Sequence, residues 1–280
     1  MRSLLGPAYG AFYWAVSMDK KGYSGIVLIA RGPRVSVVGG AAGAEAGPAP
    51  ATGAKQKTLG AFFAKSAAAA AAAEPAAVAS AGAWGAAGAP LRATFGLGDS
   101  GAHAQEGRTV TLEFERLVLT IAYVPNAGEG LKRLDFRVDE WERDMRAHLI
   151  ALAAGGKPVV YGGDLNVAHA DADIWNPTAK HIAKSAGTSP TEREAFAQML
   201  RDCGMVDTFR AVHPDAEHCY SYWSQRAGNR PFNRGLRLDY FLASAGLATA
   251  AAPPRLHDAF ICSGTDGVSD HAPVGVVLAL

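Results

Sequence analysis

An acid and an amide, Asp164 and Asn166, stand two residues apart at the end of a short apolar run in the segment KPVVYGGDLNV. A chain that leaves a strand at this point places both side chains on one side. The carboxylate can orient or deprotonate a water molecule, and the amide can hold that water or a ligand oxygen. An Asx turn that caps the next segment explains the motif, taken alone, equally well.

An acid and an imidazole, Asp270 and His271, are adjacent just before the last apolar run. Neighbouring side chains point to opposite sides of an extended backbone, so the two would serve different partners. Asp270 would bind a metal ion, and His271 would contact a phosphate oxygen. A polar turn before an edge strand is the alternative, and a DH pair alone favours it.

A third carboxylate, Asp239, lies in the apolar segment RLDYFLAS, where strand alternation points it away from Leu238 and Tyr240. A carboxylate inside an apolar strand is costly unless it is paired. We expect His271 to be its partner, because a carboxylate behind a histidine fixes the tautomer of the ring. An ion pair with Arg237 or with another arginine is the alternative.

A phenol and a second amide, Tyr123 and Asn126, end another predicted strand in the segment AYVPNAG. Both groups can contact a phosphate, while the proline and the glycine shape the turn. A hairpin turn anchored by the tyrosine is the alternative.

Strands and helices must hold these motifs in place. Apolar runs and alternation predict strands at 24–30, 108–114, 117–124, 157–167, 237–244 and 273–280. Helical spacing of apolar residues predicts helices at 131–153 and 192–200. Polar motifs at the strand ends of such a mixture indicate an α/β sandwich.

Composition narrows the class of protein. The 280 residues carry a net charge of +1, so nucleic-acid binding would need a local basic patch. The three cysteines form no CxxC pair, which argues against zinc and for reduced thiols. No apolar run reaches membrane-spanning length. We therefore predict a soluble intracellular protein without membrane contact.

Residues 40–91 differ from the rest of the chain, because Ala, Gly and Pro dominate them. Such a segment cannot bury enough surface to offset its conformational entropy, so we predict a disordered insertion. The insertion would separate a partial N-terminal piece of the catalytic domain, 1–39, from the remainder of that domain, 92–280.

One island in this insertion, KQKTLGAFFAK, has the spacing Q-x-x-L-x-x-F-F, formed by Gln56, Leu59, Phe62 and Phe63. Peptides with this pattern dock on the sliding clamp of replication, where the apolar side chains fill a pocket. The Ala- and Gly-rich surroundings offer no core for the two phenylalanines, which favours a docking motif over packing.

Together and in this order, YVPNAG, GGDLNVAH, SYW followed by RLDYFL, and SDH before a closing strand resemble the exonuclease III-like abasic-site endonucleases. That family belongs to the endonuclease/exonuclease/phosphatase superfamily. The resemblance covers residues 11–31 and 103–280, and NVAHADADIWNP favours the abasic-site branch over the lipid and sugar phosphatases. It implies a four-layered α/β sandwich, here incomplete at the N-terminus.

The resemblance also implies a catalytic group that contacts the target phosphate, activates the attacking water and supports the histidine. Its members are Tyr123, Asp164, Asn166, Asp239 and His271. Asn126 would contact the same phosphate. The family uses Mg²⁺, with Mn²⁺ as an alternative. The implied metal ligands are Asp164, Asn166, Asp270 and His271.

Tyr222, Trp223 and Leu236 resemble the apolar pocket that accepts a flipped-out abasic sugar and excludes a normal base. Core packing is the alternative, above all for Trp223. Two residues depart from the pattern of the animal enzymes: Leu236 replaces a Trp, and Glu129 replaces an Arg that enters the duplex. Pocket shape and DNA grip are therefore expected to differ.

The family pattern opens with a strand bearing an Asn motif and a second strand ending in a metal-binding Glu, and neither is found in this sequence. We therefore expect this exact chain to be nearly inactive and poorly stable, because Mg²⁺ needs more than one carboxylate anchor.

The predicted function is incision of DNA 5′ to abasic sites, with 3′-exonuclease or 3′-phosphodiesterase activity as an addition. One alternative is a catalytically impaired module that binds DNA or the sliding clamp. Another phosphodiesterase of the superfamily is the second alternative. The expected partners are double-stranded DNA with abasic sites and the clamp. The expected location is the nucleus, with an organelle as the alternative.

Overall fold

A computed structural model describes residues 11–16, 25–30, 88–98, 103–264 and 269–280, the first two ranges by their backbone alone. Most of the predicted insertion, including its clamp-binding-like motif, lies outside the described residues. None of the described helices is long and apolar enough to cross a membrane.

The described strands form three sheets. One antiparallel pair consists of β1 (Ala11–Val16) and β2 (Gly25–Ala30). The central sheet contains β3 (Arg92–Phe95), β4 (Thr109–Glu113), β5 (Val118–Tyr123), β6 (Val159–Asp164), β7 (Met205–Asp207) and β8 (Asp239–Ser244). The remaining antiparallel pair consists of β9 (Arg255–Ile261) and β10 (Val274–Ala279).

The strand order of the central sheet brings the predicted site residues together. It is β3-β4-β5-β6-β8-β7, with β5 and β6 parallel and the other neighbours antiparallel. Tyr123 pairs with Asp164 across β5 and β6, and Asp164 pairs with Asp239 across β6 and β8. Three predicted catalytic residues therefore stand side by side at one end of adjacent strands.

Side chains of the central sheet alternate between its two faces, and both faces are packed against other elements. Val159 and Tyr161 belong to a core shared with helices α1 (Arg143–Ala154) and α2 (Pro190–Asp202). Val160 lies on the opposite face and packs with apolar residues of β8 and β10. Burial of such side chains contributes about 25 cal/mol per Å² of apolar area. The predicted α/β sandwich is confirmed.

The long helix predicted over 131–153 is correct only in its second half. The chain first makes a 3-10 turn at Glu129–Leu131, where Gly130 has a φ of 67° and interrupts the helical path. A wider π-type segment follows at Phe136–Glu142 and leads into α1. The apolar spacing indicates a helical face, and it does not distinguish these three kinds of turn.

Of the other helices, one begins with a capping box and two are only five residues long. Helix α2 begins with a capping box, in which the Ser189 side chain accepts the Glu192 N–H at 3.3 Å. Helices α3 (Thr208–Val212) and α4 (Ala245–Thr249) follow β7 and β8. The sequence patterns do not predict strand β9, because RLHDAFI neither alternates cleanly nor forms a continuous apolar run.

Candidate active site

Asp164 ends β6 directly after a glycine whose conformation strains any other residue. Gly163 has a φ of 122°, and a Cβ there would stand 2.0 Å from the Ala122 carbonyl oxygen. The absent side chain lets β5 and β6 stay in contact up to the point where the acid leaves the sheet. The glycine before the acid is therefore a requirement of the parallel pairing.

A row of hydrogen bonds fixes the Asp164 carboxylate. The Asn166 backbone N–H donates to Asp164 Oδ1 at 3.0 Å, and the Asn166 Nδ2 donates to Asp164 Oδ2 at 3.2 Å. The same nitrogen donates to the Val124 carbonyl oxygen at 2.9 Å, and Asn126 donates to Asn166 Oδ1 at 2.8 Å. The segment thus forms the Asx turn, and that turn orients the acid toward the site.

Asp239 pairs with His271, as expected. The His271 Nδ1 lies 2.7 Å from Asp239 Oδ2, and an ionised carboxylate can only accept, so the ring nitrogen donates. Arg237 instead donates to Asp173 at 2.8 Å and to Asp207 at 2.5 Å. The alternative ion pair between Arg237 and Asp239 is therefore wrong, because the Arg237 guanidinium binds Asp173 and Asp207 instead.

Asp164, Asp239 and His271 form one cluster, whose ligand atoms all lie within 4.8 Å of one another. Burial raises the pKa of Asp164 to about 7, the Asp239 carboxylate adds to this rise, and His271 opposes it. Burial disfavours the charged form of His271, but the hydrogen bond and charge of Asp239 outweigh it and raise the pKa of His271 to about 9. Near neutral pH, the cluster therefore combines an imidazolium with a carboxyl group close to its midpoint.

The cluster suits a divalent cation. Two carboxylates held this close repel each other, and this repulsion adds to the burial that raises the pKa of Asp164. A cation beside them would relieve the repulsion. Carboxylate oxygens are ligands of a hard cation, so Asp164 and Asp239 fit such an ion. The Nδ1 of His271 already donates to Asp239, so its Nε2 is the ring atom left for either predicted role, binding the metal ion or contacting a phosphate oxygen.

The predicted metal ligands are only partly brought together. Among the residues that the structure describes, Asp270 is not part of the acid–imidazole cluster. It lines a neighbouring hollow with Arg230, and its backbone carbonyl accepts the Trp223 N–H at 2.9 Å. Asp270 and His271 face different surroundings because adjacent side chains of an extended chain point apart. Asn166 lies beside the cluster with its amide oxygen accepting from Asn126.

The predicted phosphate-contacting residues lie beside the cluster. Tyr123 ends β5 next to Asp164, and the Arg108 guanidinium lies 5.1 Å from its ring centre. Asn126 is exposed, and its side-chain oxygen accepts the Gly128 N–H at 2.8 Å. One of the two Asn126 amide hydrogens is used on Asn166, which leaves the other for a ligand.

Two of the three predicted pocket residues line one cavity. Tyr222 and Leu236 exchange backbone hydrogen bonds at 2.9 Å, and both line a cavity of about 140 Å³ that Trp175 and Arg234 also border. The Tyr222 and His271 ring centres are 5.0 Å apart, which puts the cavity next to the cluster.

Trp223 is placed differently. Its side chain is buried, its indole N–H donates to Asn233 at 3.0 Å, and the Arg230 guanidinium covers the ring at 4.5 Å. Trp223 is thus packed in the core and also lines the hollow beside Asp270 and Arg230, and it does not border the cavity beside Tyr222.

One site-forming residue is not found by the sequence patterns. Arg137 is 1% exposed, and it donates to the Leu165 carbonyl oxygen at 3.0 Å, to the Pro125 carbonyl oxygen at 3.5 Å and to Glu192 at 3.1 Å. It thereby joins the loops that follow β5 and β6. A lone arginine in a helical segment reads as a solvent-exposed side chain, so no local signal predicts this contact.

Paired acids and an acid-backed histidine lie at the strand ends of a mixed α/β sandwich. This arrangement is typical of hydrolytic enzymes that bind a metal ion. The model of the Endonuclease/Exonuclease/phosphatase family matches residues 2–271 of this sequence. The chain belongs to this family, whose nucleases depend on a divalent metal.

Several known proteins are similar to this chain. An exodeoxyribonuclease of Bacillus subtilis is 43% identical over 189 residues, covering 68% of this chain and 70% of the relative. The DNA repair nuclease APEX1 of Danio rerio is 44% identical, covering 68% of this chain and 58% of the relative. The structure of an AP endonuclease from Leishmania major matches with a TM-score of 0.58 at 32% identity, covering 66% of this chain and 60% of that chain. The chain thus spans 58% of the length of the Danio rerio nuclease and 60% of the length of the Leishmania major chain.

Proposed function

We propose that this chain is a metal-dependent DNA phosphodiesterase that incises the backbone 5′ to abasic sites, in base excision repair. The observation that carries the proposal is the cluster of Asp164, Asp239 and His271, in which one carboxylate backs the imidazole and the other, held by Asn166, could act on water. Identity of 43% to an exodeoxyribonuclease and 44% to a DNA repair nuclease supports DNA as the substrate.

Asp164 would take the proton of the attacking water. Its bonds from Asn166 hold the carboxylate still. Without a bound cation its pKa is about 7, near neutral pH, where a general base works best, and a bound cation would lower that pKa. His271 donates to Asp239 through Nδ1, so its Nε2–H is available to a phosphate oxygen. A charged imidazolium in this place stabilises the negative charge that develops on the phosphate. Tyr123 and Asn126 would contact the same phosphate.

The proposed metal is Mg²⁺, with Mn²⁺ as an alternative. Asp164 and Asp239 would hold it, and Asn166 and Asp270 stay predicted ligands from the family resemblance. Bound there, the ion would neutralise charge on the phosphate and on the leaving oxygen. Two protein carboxylates are a sparse ligand set for Mg²⁺, which keeps several of its waters. Weak metal affinity is therefore expected.

The flipped-out sugar is proposed to occupy the cavity beside Tyr222 and Leu236. Its volume of about 140 Å³ suits a small occupant, and its walls combine apolar side chains such as Leu236 with polar ones such as Arg234, which suits a sugar that carries no base. An abasic nucleotide also costs least to extrude, because no base must be unstacked.

The test is cleavage of labelled duplexes that differ in one position. One duplex carries a single tetrahydrofuran abasic analogue, and its control carries a normal nucleotide there. Each is incubated with chelator, Mg²⁺ or Mn²⁺. We expect a cut 5′ to the analogue that leaves a 3′-hydroxyl, only with a metal ion and only in the modified duplex. The rate should be low, because this chain is predicted to be nearly inactive.

Two other outcomes would assign a different function to the chain. Removal of nucleotides from the 3′ ends of both duplexes at equal rates would assign the chain as a 3′-exonuclease instead. Metal-dependent cleavage of neither duplex, together with retained binding to the abasic duplex in a gel-shift assay, would assign it as a DNA-binding module.

Clamp binding stays a separate prediction for the motif formed by Gln56, Leu59, Phe62 and Phe63, which lies outside the described residues. A peptide of residues 53–67 should bind the replication sliding clamp saturably. The same peptide with Phe62→Ala and Phe63→Ala should not bind, and equal behaviour of both peptides would remove the prediction. Nuclear location also stays a prediction, to be checked by imaging the tagged full chain.

A further inference from the structure

Ser221 lies between the two segments that supply the Asp239–His271 pair, and it is 0% exposed. Its side-chain oxygen accepts the Leu238 N–H at 2.9 Å and the Asp239 N–H at 3.0 Å. A hydroxyl oxygen has two acceptor lone pairs, so both are used at the start of β8.

The Ser221 backbone reaches both segments as well. Its N–H donates to the Leu236 carbonyl oxygen at 3.0 Å, on the segment that leads into β8. Its carbonyl oxygen accepts the Ala272 N–H at 2.7 Å, immediately after His271. One buried residue therefore holds the backbone on which Asp239 sits and the backbone next to His271.

We propose that Ser221 is a positioning residue that sets the register between Asp239 and His271, a role that rests on the proposed phosphodiesterase function. Asp239 and His271 are 32 residues apart in the chain and meet at 2.7 Å. An offset of a few tenths of an ångström between their segments lengthens that contact and turns the ring. The hydroxyl of Ser221 resists this offset by anchoring the Asp239 N–H.

The other residues of the SYW motif do not replace this anchor. Tyr222 bridges Leu236 and His271 through its backbone, and Trp223 donates its N–H to the Asp270 carbonyl oxygen at 2.9 Å. Neither side chain bonds to the backbone of Asp239 among the described contacts. Replacing Ser221 by alanine would keep these backbone bonds and leave the Leu238 and Asp239 N–H groups buried without an acceptor.

A matched control exists at the other end of the same strand. Ser244 ends β8, and its hydroxyl oxygen accepts the Val159 N–H at 2.8 Å, away from the cluster. Ser244→Ala therefore removes a similar hydroxyl-to-backbone bond from β8 without touching the Asp239–His271 pair. A loss of activity common to both alanine variants would indicate a general effect on the strand.

The experiment compares the full chain with its Ser221→Ala, Ser221→Thr and Ser244→Ala variants on abasic duplex DNA. We expect Ser221→Ala to lower kcat about 10- to 100-fold, the range seen when residues that orient catalytic ligands are removed, with KM changed less than about twofold. Ser221→Thr keeps the hydroxyl and should recover most of kcat. Ser244→Ala should leave kcat unchanged, and a wild-type kcat in Ser221→Ala would overturn the inference.

A second measurement requires neither enzymatic activity nor a folded Ser221→Thr variant. Solvent exchange of the His271 Nδ1 proton is followed by NMR in protein with ¹⁵N-labelled histidine. Ser221→Ala should accelerate this exchange at least about tenfold, and Ser244→Ala should not. If the wild-type chain cleaves no abasic DNA, the proposed function fails, and this measurement alone decides the positioning role. Equal exchange rates in all chains would refute it.

Discussion

Asp164 and Asp239 face each other directly across the antiparallel strands β6 and β8. This register places two carboxylates on the same side of the sheet. Asp239 Oδ2 accepts from His271 Nδ1 at 2.7 Å, and Asp164 accepts from Asn166. The two acids therefore differ in role because one is paired with a cation and the other is not. Burial, with the added charge of Asp239, raises the pKa of Asp164 to about 7.

Asp164→Asn is expected to lower cleavage of abasic duplex DNA by a factor of about 100 or more, because an amide cannot accept the proton of water. The matched control is Asp171→Asn, at an acid whose side chain is 73% exposed and paired with Arg193. Single-turnover rates at saturating enzyme measure the effect. An Asp164→Asn rate within twofold of wild type would exclude this acid as the base.

Stability should fall as pH rises through two adjoining windows when metal is removed by chelation. The folded pKa of Asp164 is about 7, above the ordinary carboxyl value, so its burial destabilises the fold progressively between about pH 4 and 7. The folded pKa of His271 is about 9, above the ordinary value near 6.5, so its contribution is full below about pH 6.5 and lost as pH approaches and passes 9.

The His271 contribution is on the order of 3 kcal/mol, from about 1.4 kcal/mol for each unit of pKa difference. Urea unfolding between pH 6 and 10 should therefore show a decline that His271→Gln removes. A decline of the same size in His271→Gln would assign it to other groups.

Gly163→Ala is expected to destabilise the fold by more than about 4 kcal/mol or to prevent folding, a size that only severe steric or burial defects reach. The new Cβ would stand 2.0 Å from the Ala122 carbonyl oxygen, which must move and break the pairing of β5 with β6. Gly246→Ala is the control, since its Cβ would meet nothing within 4 Å in helix α4. Thermal melts of both variants give the comparison, and equal melting temperatures would contradict the close approach.

Arg237→Met is expected to cost roughly 3 kcal/mol, because it removes the cation that Asp173 and Asp207 share and leaves Asp173 with Arg210 alone. Asp173 is 0% exposed, so water cannot replace the arginine. Arg201→Met removes an exposed pair with Glu194 and should change stability by less than about 1 kcal/mol. Denaturant midpoints measure both, and a small effect of Arg237→Met would show that the buried acids become protonated instead.

Much of the candidate site can be predicted from the sequence, because its signals are local. An acid after an apolar run, as at Asp164, indicates a strand end, and an acid that alternation isolates, as at Asp239, indicates a partner. The β4–β5 hairpin is equally local, and the Phe114 N–H closes it by donating to the Leu117 carbonyl oxygen at 2.8 Å. These inferences use neighbours a few residues apart, and the structure agrees with them.

Pairings between distant segments depend on register and burial, which the sequence alone does not determine. The sequence specified which side chains could do chemistry and that His271 was a fit partner for Asp239. Only the tertiary structure decided that Arg237 binds Asp173 and Asp207, that Trp223 is buried, that Asp270 lines a neighbouring hollow, and that Ser221 joins the two halves of the site. The physical reason is that each of these outcomes is set by which strands lie side by side, and adjacency in space is not periodic in the chain.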